Sequence, residues 1–249
     1  MAWSQDDIIF PIHSVAAPGP LPRGAERLQI RTPDGETLHG VHILPSAQAS
    51  GPKTLVVGFG GNAWNGQDVA TYLHEIYPDA DVVAFHYRGY RPSTGSPSAK
   101  ALLADAPIVY DSAVGRTRPD RAIAVGFSIG SGVAASLASR RKLDGIILVT
   151  PFDSLKAVAK GYYSWLPVGM LFRHEIDAVQ WLEGSTVPVA VVAAGRDEII
   201  PAERTEALRE RVPNLAFDRT IANAHHNDIY TRSEFQDAMD EALKAILSR

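Results

Sequence analysis

The 249-residue sequence contains no cysteine, which excludes disulfides, thiolate metal sites and cysteine nucleophiles together. It has no apolar run approaching the ~20 residues that span a bilayer. It also lacks a basic field: the formal net charge is −4 and the lysines and arginines are scattered, so neither nucleic acid nor an anionic membrane is an expected partner. The stretch Met1 to Asp7 is acidic and has no basic segment followed by an apolar one, so it does not read as a signal peptide. A soluble, cytoplasmic protein is the expectation. His74, His86 and His174 have no carboxylates at ligand spacing, and no metal site is expected. Internal repeats and low-complexity tracts are absent as well.

What the chain does have is apolar content, 45% hydrophobic against 21% charged, enough for a large core in a single α/β domain over residues 1–249. Residues 11–24 carry Pro11, Pro18, Pro20 and Pro22 with two glycines, so residues 1–24 read as an extended leader. Arg27 to Arg31 and Leu38 to Ile43 read as an antiparallel hairpin, because Asp34-Gly35 between them supplies turn chemistry. From Thr54 onward the pattern changes. Near-continuous apolar runs at 54–59, 81–87, 121–127, 145–150, 187–194 and 217–222 alternate with helix-like segments, which predicts a mostly parallel sheet with helices on both faces. Phe235, Met239, Ala242 and Ile246 share one face of a final helix. Residues 154–186 break the alternation. Their aromatic and large apolar residues exceed what a polar connector needs, so part is core and the rest reads as a small helical lid-like insert.

Gly126-Phe127-Ser128-Ile129-Gly130 sets a serine between the apolar run 121–127 and a small-residue helix start. Glycines two residues either side let strand and helix pack closely around a strained serine, the layout of a nucleophile elbow. A plain helix-capping serine is the alternative. Catalysis by Ser128 needs a histidine base and a carboxylate to orient it. Asp197 stands just past the run 187–194, with Glu198 an adjacent competitor and Asp153 a runner-up after the run 145–150. His225 and His226 lie in a loop before the last helix, and either is open as the base. Ile129 follows the nucleophile and opens a helix, so its N–H is one oxyanion donor.

With Thr32-Pro33-Asp34-Gly35-Glu36-Thr37-Leu38, Tyr87-Arg88-Gly89-Tyr90, Ser93-Thr94-Gly95-Ser96-Pro97-Ser98, Thr150-Pro151-Phe152-Asp153-Ser154 and Pro201 added to these residues, the chain resembles an α/β-hydrolase over nearly its whole length. It is similar to the small, capless serine hydrolases that include the ABHD-type depalmitoylases and their bacterial relatives. The resemblance implies the α/β-hydrolase fold, no cofactor, and a Ser128, His226, Asp197 triad, since the catalytic histidine of relatives is commonly followed by Asn-Asp. It also implies the Asn62 N–H as the second oxyanion donor. Gly60 departs from the family, where His-Gly-Asn-Ala is typical of the loop that here reads Gly60-Gly61-Asn62-Ala63-Trp64. Gly60, Gly61, Trp64, Phe152, Trp165, Leu166, Met170, Leu171 and Phe172 are candidates to line a pocket. The expected substrate is a small-molecule ester, thioester or other acyl compound. A non-catalytic binding protein of the same fold is one alternative, and an amidase or peptidase acting on small substrates is another. Arg88 and Tyr90 read as structural, the one anchoring a loop and the other packing on the sheet.

Overall fold

The computed structural model describes residues 5–46, 51–163, 165 and 167–249, with the backbone alone at 169 and 170. The chain divides into two compact units, Met1–Ala124 and Val125–Arg249.

The first unit opens with a short helix, α1 (Gln5–Ile9), and a 3₁₀ turn over Ile12–Ser14. These replace part of the expected extended leader. Asp6 and Asp7 favour the positive amino end of the first turn, and Phe10 behind it is buried. β1 (Ala25–Arg31) and β2 (Thr37–Ile43) form the antiparallel hairpin, with Arg31 opposite Thr37. β3 (Thr54–Phe59), α2 (Gly66–Ile76), β4 (Asp81–Phe85) and α3 (Ala99–Thr117) follow. Strand order here is β1-β2-β4-β3, with β3 and β4 parallel and β2 and β4 antiparallel. Leu55, Val56 and Val57 of β3 are fully buried, each worth about 1.5–3 kcal/mol relative to exposure. The Asn65 side chain caps α2 by accepting the Asp68 N–H at 2.9 Å, and Ser98 caps α3.

Arg88 and Tyr90 are structural in this unit. Arg88 pairs with Asp105 and Asp34. Tyr90 is buried and its hydroxyl donates to the Asn62 carbonyl.

β5 (Arg121–Phe127) leads the chain into the second unit, which continues with α4 (Ile129–Ala138), β6 (Gly145–Val149), α5 (Leu155–Tyr162), α6 (Val168–Leu171) and α7 (Ala178–Leu182). It ends with β7 (Val189–Ala194), α8 (Ala202–Arg209), β8 (Leu215–Ile221) and α9 (Ser233–Leu247). Strand order is β5-β6-β7-β8; β6, β7 and β8 run parallel, from Ile146 opposite Val189 to Ala194 opposite Ile221. Every residue of β6 is buried, as a strand covered on both faces requires. On α9, Phe235, Met239, Ala242 and Ile246 are buried in the predicted stripe, and the helix packs on β6, β7 and β8. Parallel strands bring their carboxyl ends to one edge, where ligand sites of open α/β sheets gather.

The segment 154–186 divides as a mixed insert does. Val158, Val168, Ile176, Ala178 and Leu182 are buried, whereas Trp165 is 77% and Leu171 55% exposed. Among the described residues, no helix is long and apolar enough to cross a membrane.

Candidate active site

One residue separates β5 from α4, and that residue is Ser128, at φ 51° and ψ −117°. For a residue with a Cβ this backbone costs on the order of 1–3 kcal/mol, so its surroundings must hold it. The Ser128 N–H donates to the Val149 carbonyl at 2.9 Å. Its own carbonyl accepts the Ser131 N–H at 2.9 Å and the Ser131 hydroxyl at 2.6 Å. Gly126 is the space that makes the turn fit: a Cβ there would lie 2.2 Å from the Gly130 carbonyl oxygen. The Ser128 hydroxyl caps no amide of α4. It faces His226 instead, with Nε2 3.1 Å from Oγ.

The other ring nitrogen, Nδ1, lies 2.9 and 2.8 Å from the two carboxylate oxygens of Asp197. Asp197 sits in the turn after β7, and its Oδ1 also accepts the N–H groups of Ile199 (2.9 Å) and Ile200 (2.7 Å). The His226 and Asp197 side chains are only 5% and 7% exposed, so their pairing is shielded from water. With the carboxylate accepting at Nδ1, the neutral imidazole carries its proton there and presents Nε2 as a bare acceptor to the serine hydroxyl. The arrangement can therefore take a proton from Oγ and stabilise the resulting imidazolium.

The competitors identified in the sequence have other partners. Glu198 Oε2 accepts the His226 N–H at 3.3 Å and faces His225 Nδ1 at 3.2 Å; both side chains are half exposed. Its own backbone N–H, followed by the contacts to His226 and His225, holds the Glu198 carboxyl below the usual range. The His225 N–H donates to Asp228 at 2.8 Å. Asp228 is paired with Arg232, which pulls its carboxyl down to about 2. Asp153 is committed to Arg204 at 3.0 Å and to the Ser154 N–H at 2.7 Å, while burial pushes its carboxyl up.

Ile129 heads α4, and the first N–H groups of a helix have no intrahelical acceptor. Asn62, Gly60, Gly61 and Trp64 belong to the first unit, in the loop after β3. There the Tyr87 hydroxyl donates to the Gly60 carbonyl at 2.8 Å, and Trp64 packs on Tyr72 with ring centroids 5.3 Å apart.

The apolar residues proposed from sequence as pocket lining do not behave alike. Phe152 is 1% exposed, with its ring against Gly132 of α4. Thr150, at φ 46°, bends the chain between the fully buried β6 and Phe152. Trp165 and Leu171 are exposed and Phe172 half-buried. Leu166 and the Met170 side chain lie outside the described residues.

Sequence reasoning gave no role to Tyr162, whose hydroxyl reaches the carbonyls of Glu198 and Ile199. Its only signal in the sequence was membership of an aromatic-rich insert.

No protein-family model matches the chain. An uncharacterized protein of Mycobacterium tuberculosis is 31% identical over 237 residues, covering 91% of this chain and 82% of that one. The lysophosphatidylserine lipase ABHD12 of Danio rerio is 26% identical over 234 residues, 80% of this chain and 60% of that protein. Among solved structures, the esterase Pf2001 of Pyrococcus furiosus matches with a TM-score of 0.72 at 19% identity, covering 99% of this chain and 95% of that one. The chain has the α/β-hydrolase fold.

Proposed function

We propose that the protein is a serine hydrolase that cleaves carboxylic esters or thioesters through an acyl-serine intermediate. The observation that carries this reading is the relay from Ser128 Oγ through both nitrogens of His226 to the Asp197 carboxylate. In the first half-reaction Oγ attacks the carbonyl carbon while Nε2 takes its proton. The imidazolium then returns that proton to the leaving oxygen or sulfur. Water repeats the sequence on the acyl-serine, and the free acid leaves. Asp197 keeps the ring in the productive tautomer and stabilises its charge. The Ile129 N–H, at the positive end of α4, is the first oxyanion donor, and the Asn62 N–H is assigned as the second on the family resemblance. No step requires a cofactor. Named relatives lean the same way: one is a lysophospholipid lipase and one structural neighbour an esterase.

The test is hydrolysis of short p-nitrophenyl esters, together with labelling by a fluorophosphonate probe. Ser128→Ala abolishes labelling and lowers kcat by 10³-fold or more. Undiminished hydrolysis by pure Ser128→Ala protein refutes the mechanism. A folded protein that takes no label is a binding protein of this fold rather than an enzyme. Comparing esters of graded chain length with thioesters and amides fixes the substrate class.

A further inference from the structure

α5 ends on Tyr162, whose hydroxyl reaches the carbonyl oxygens of Glu198 at 2.6 Å and Ile199 at 3.0 Å. Those carbonyls belong to the same two peptide groups whose N–H bonds, on Ile199 and Ile200, are aimed at Asp197 Oδ1 at 2.9 and 2.7 Å. A trans peptide is planar, with its C=O and N–H pointing in opposite directions. Fixing the carbonyl end of such a plane therefore fixes where its N–H points. The turn is a series of planes with the phenol at one end, then two peptides, then the carboxylate, then the imidazole of His226.

We propose that Tyr162 is a positioning residue for Asp197, holding from the far side the two peptide planes that aim the carboxylate at His226. The role fits the chemistry of the group. Burial first, then the negative charges of Asp197 and Glu198, raise the phenol above its ordinary value, so it stays a protonated donor at neutral pH. Its location is also informative, because the side chain is 51% exposed and contributes little as core. Tyr162 ties the insert to the acid of the site, so that α5 and the turn after β7 move as one body. Its consequence for turnover rests on the serine-hydrolase reading; its consequence for the geometry of His226 does not.

Tyr162→Phe keeps the ring and removes only the donor, and Tyr163→Phe is the matched control. Two measurements are made. In ester hydrolysis, Tyr162→Phe lowers kcat by about three- to tenfold with KM within about twofold. That factor collapses to near one in an Asp197→Asn background, because the phenol acts through the carboxylate. Independently of activity, the imidazole titration of His226 is followed by NMR. In Tyr162→Phe its midpoint falls, in the same direction as in Asp197→Asn but by less, since a loosened carboxylate stabilises the imidazolium less. Tyr163→Phe leaves both readouts in place. An unchanged or raised His226 midpoint in Tyr162→Phe overturns the proposal, as does a rate loss that persists at full size without the Asp197 carboxylate. Fluorophosphonate labelling of the unmodified protein tests the hydrolase reading separately, so a protein that takes no label yet shows the fall in midpoint refutes the activity and keeps the positioning role.

Discussion

Replacing Gly126 by alanine adds one methyl group at the tightest point of the turn that presents Ser128. The new Cβ would stand 2.2 Å from the Gly130 carbonyl oxygen, 2.5 Å from its carbon and 2.6 Å from the Ser131 Cα, and all three are backbone atoms. No side chain can rotate to make room. Ordinary van der Waals contact is about 3.5–4.0 Å, so β5 and α4 must separate by roughly 1 Å or more. Overpacking of this kind costs about 1–3 kcal/mol, and the upper half of that range is expected because the obstructing atoms belong to a helix whose first nine residues are all buried. The displaced element carries the nucleophile. A misplacement near 1 Å costs on the order of 10²-fold in rate, far more than the stability loss alone would remove from a protein that remains folded. The assay pairs urea denaturation with the kinetics of fluorophosphonate labelling on the folded fraction. Gly126→Ala should unfold at lower urea and label about 10²-fold more slowly. Wild-type labelling in the alanine variant would refute the claim that the space at Gly126 sets the serine's position.

Further predictions concern pH and the loop that carries the base. Burial, and secondarily His39, lower His86 to about 4, so the unfolded chain takes that proton first. Stability is full above about pH 6.5 and falls by up to roughly 3 kcal/mol as pH drops through 4; His86→Gln should flatten this slope in denaturation curves, and parallel curves would exclude His86 as its source. Asp228, held at about 2 by Arg232, stabilises its loop above the unfolded carboxyl value and ceases to do so as pH falls toward 2. The Tm difference between wild type and Asp228→Asn should therefore be present at pH 7 and absent near pH 2.

The strands were legible in the sequence wherever burial on both faces left an unbroken apolar run. The predicted limits of β3 and β5 match the structure, and those of the other parallel strands differ by a residue or two at the ends, where pairing and not composition decides. The leader was less legible. Its prolines pointed to extension, but proline content says nothing about Gln5–Ile9, where a buried Phe10 and two acidic residues in the first turn support a helical turn. The serine turn could be read because its geometry demands glycine at 126. Exposure of the aromatics could not, because an aromatic in a connecting segment looks the same in sequence whether it is exposed, like Trp165, or buried against a helix, like Phe152. Tyr162 was invisible for a different reason. Its partners are backbone carbonyls, which leave no trace in residue identity.

Why Asp197 and not another carboxylate faces the imidazole follows from what each strand end offers. Asp153, after β6, already has an arginine on one oxygen and a backbone N–H on the other, and its N–H and carbonyl are tied to Arg204 and Ala178. Turning it toward a histidine would strand the Arg204 guanidinium. Glu198, one residue past Asp197, lies on an exposed face and spends its oxygen on the His226 backbone and the His225 ring, so it holds the loop that carries the base. Asp197 takes its support on Oδ1 from the neutral N–H groups of Ile199 and Ile200, and among the described residues no arginine or lysine forms an ion pair with it. Neutral donors orient a carboxylate without cancelling its charge, and that charge is what an imidazolium buried beside it requires. The turn after β7 thus fixes the carboxylate through neutral donors, and the phenol of Tyr162 reaches that turn at the carbonyls of the same two peptides.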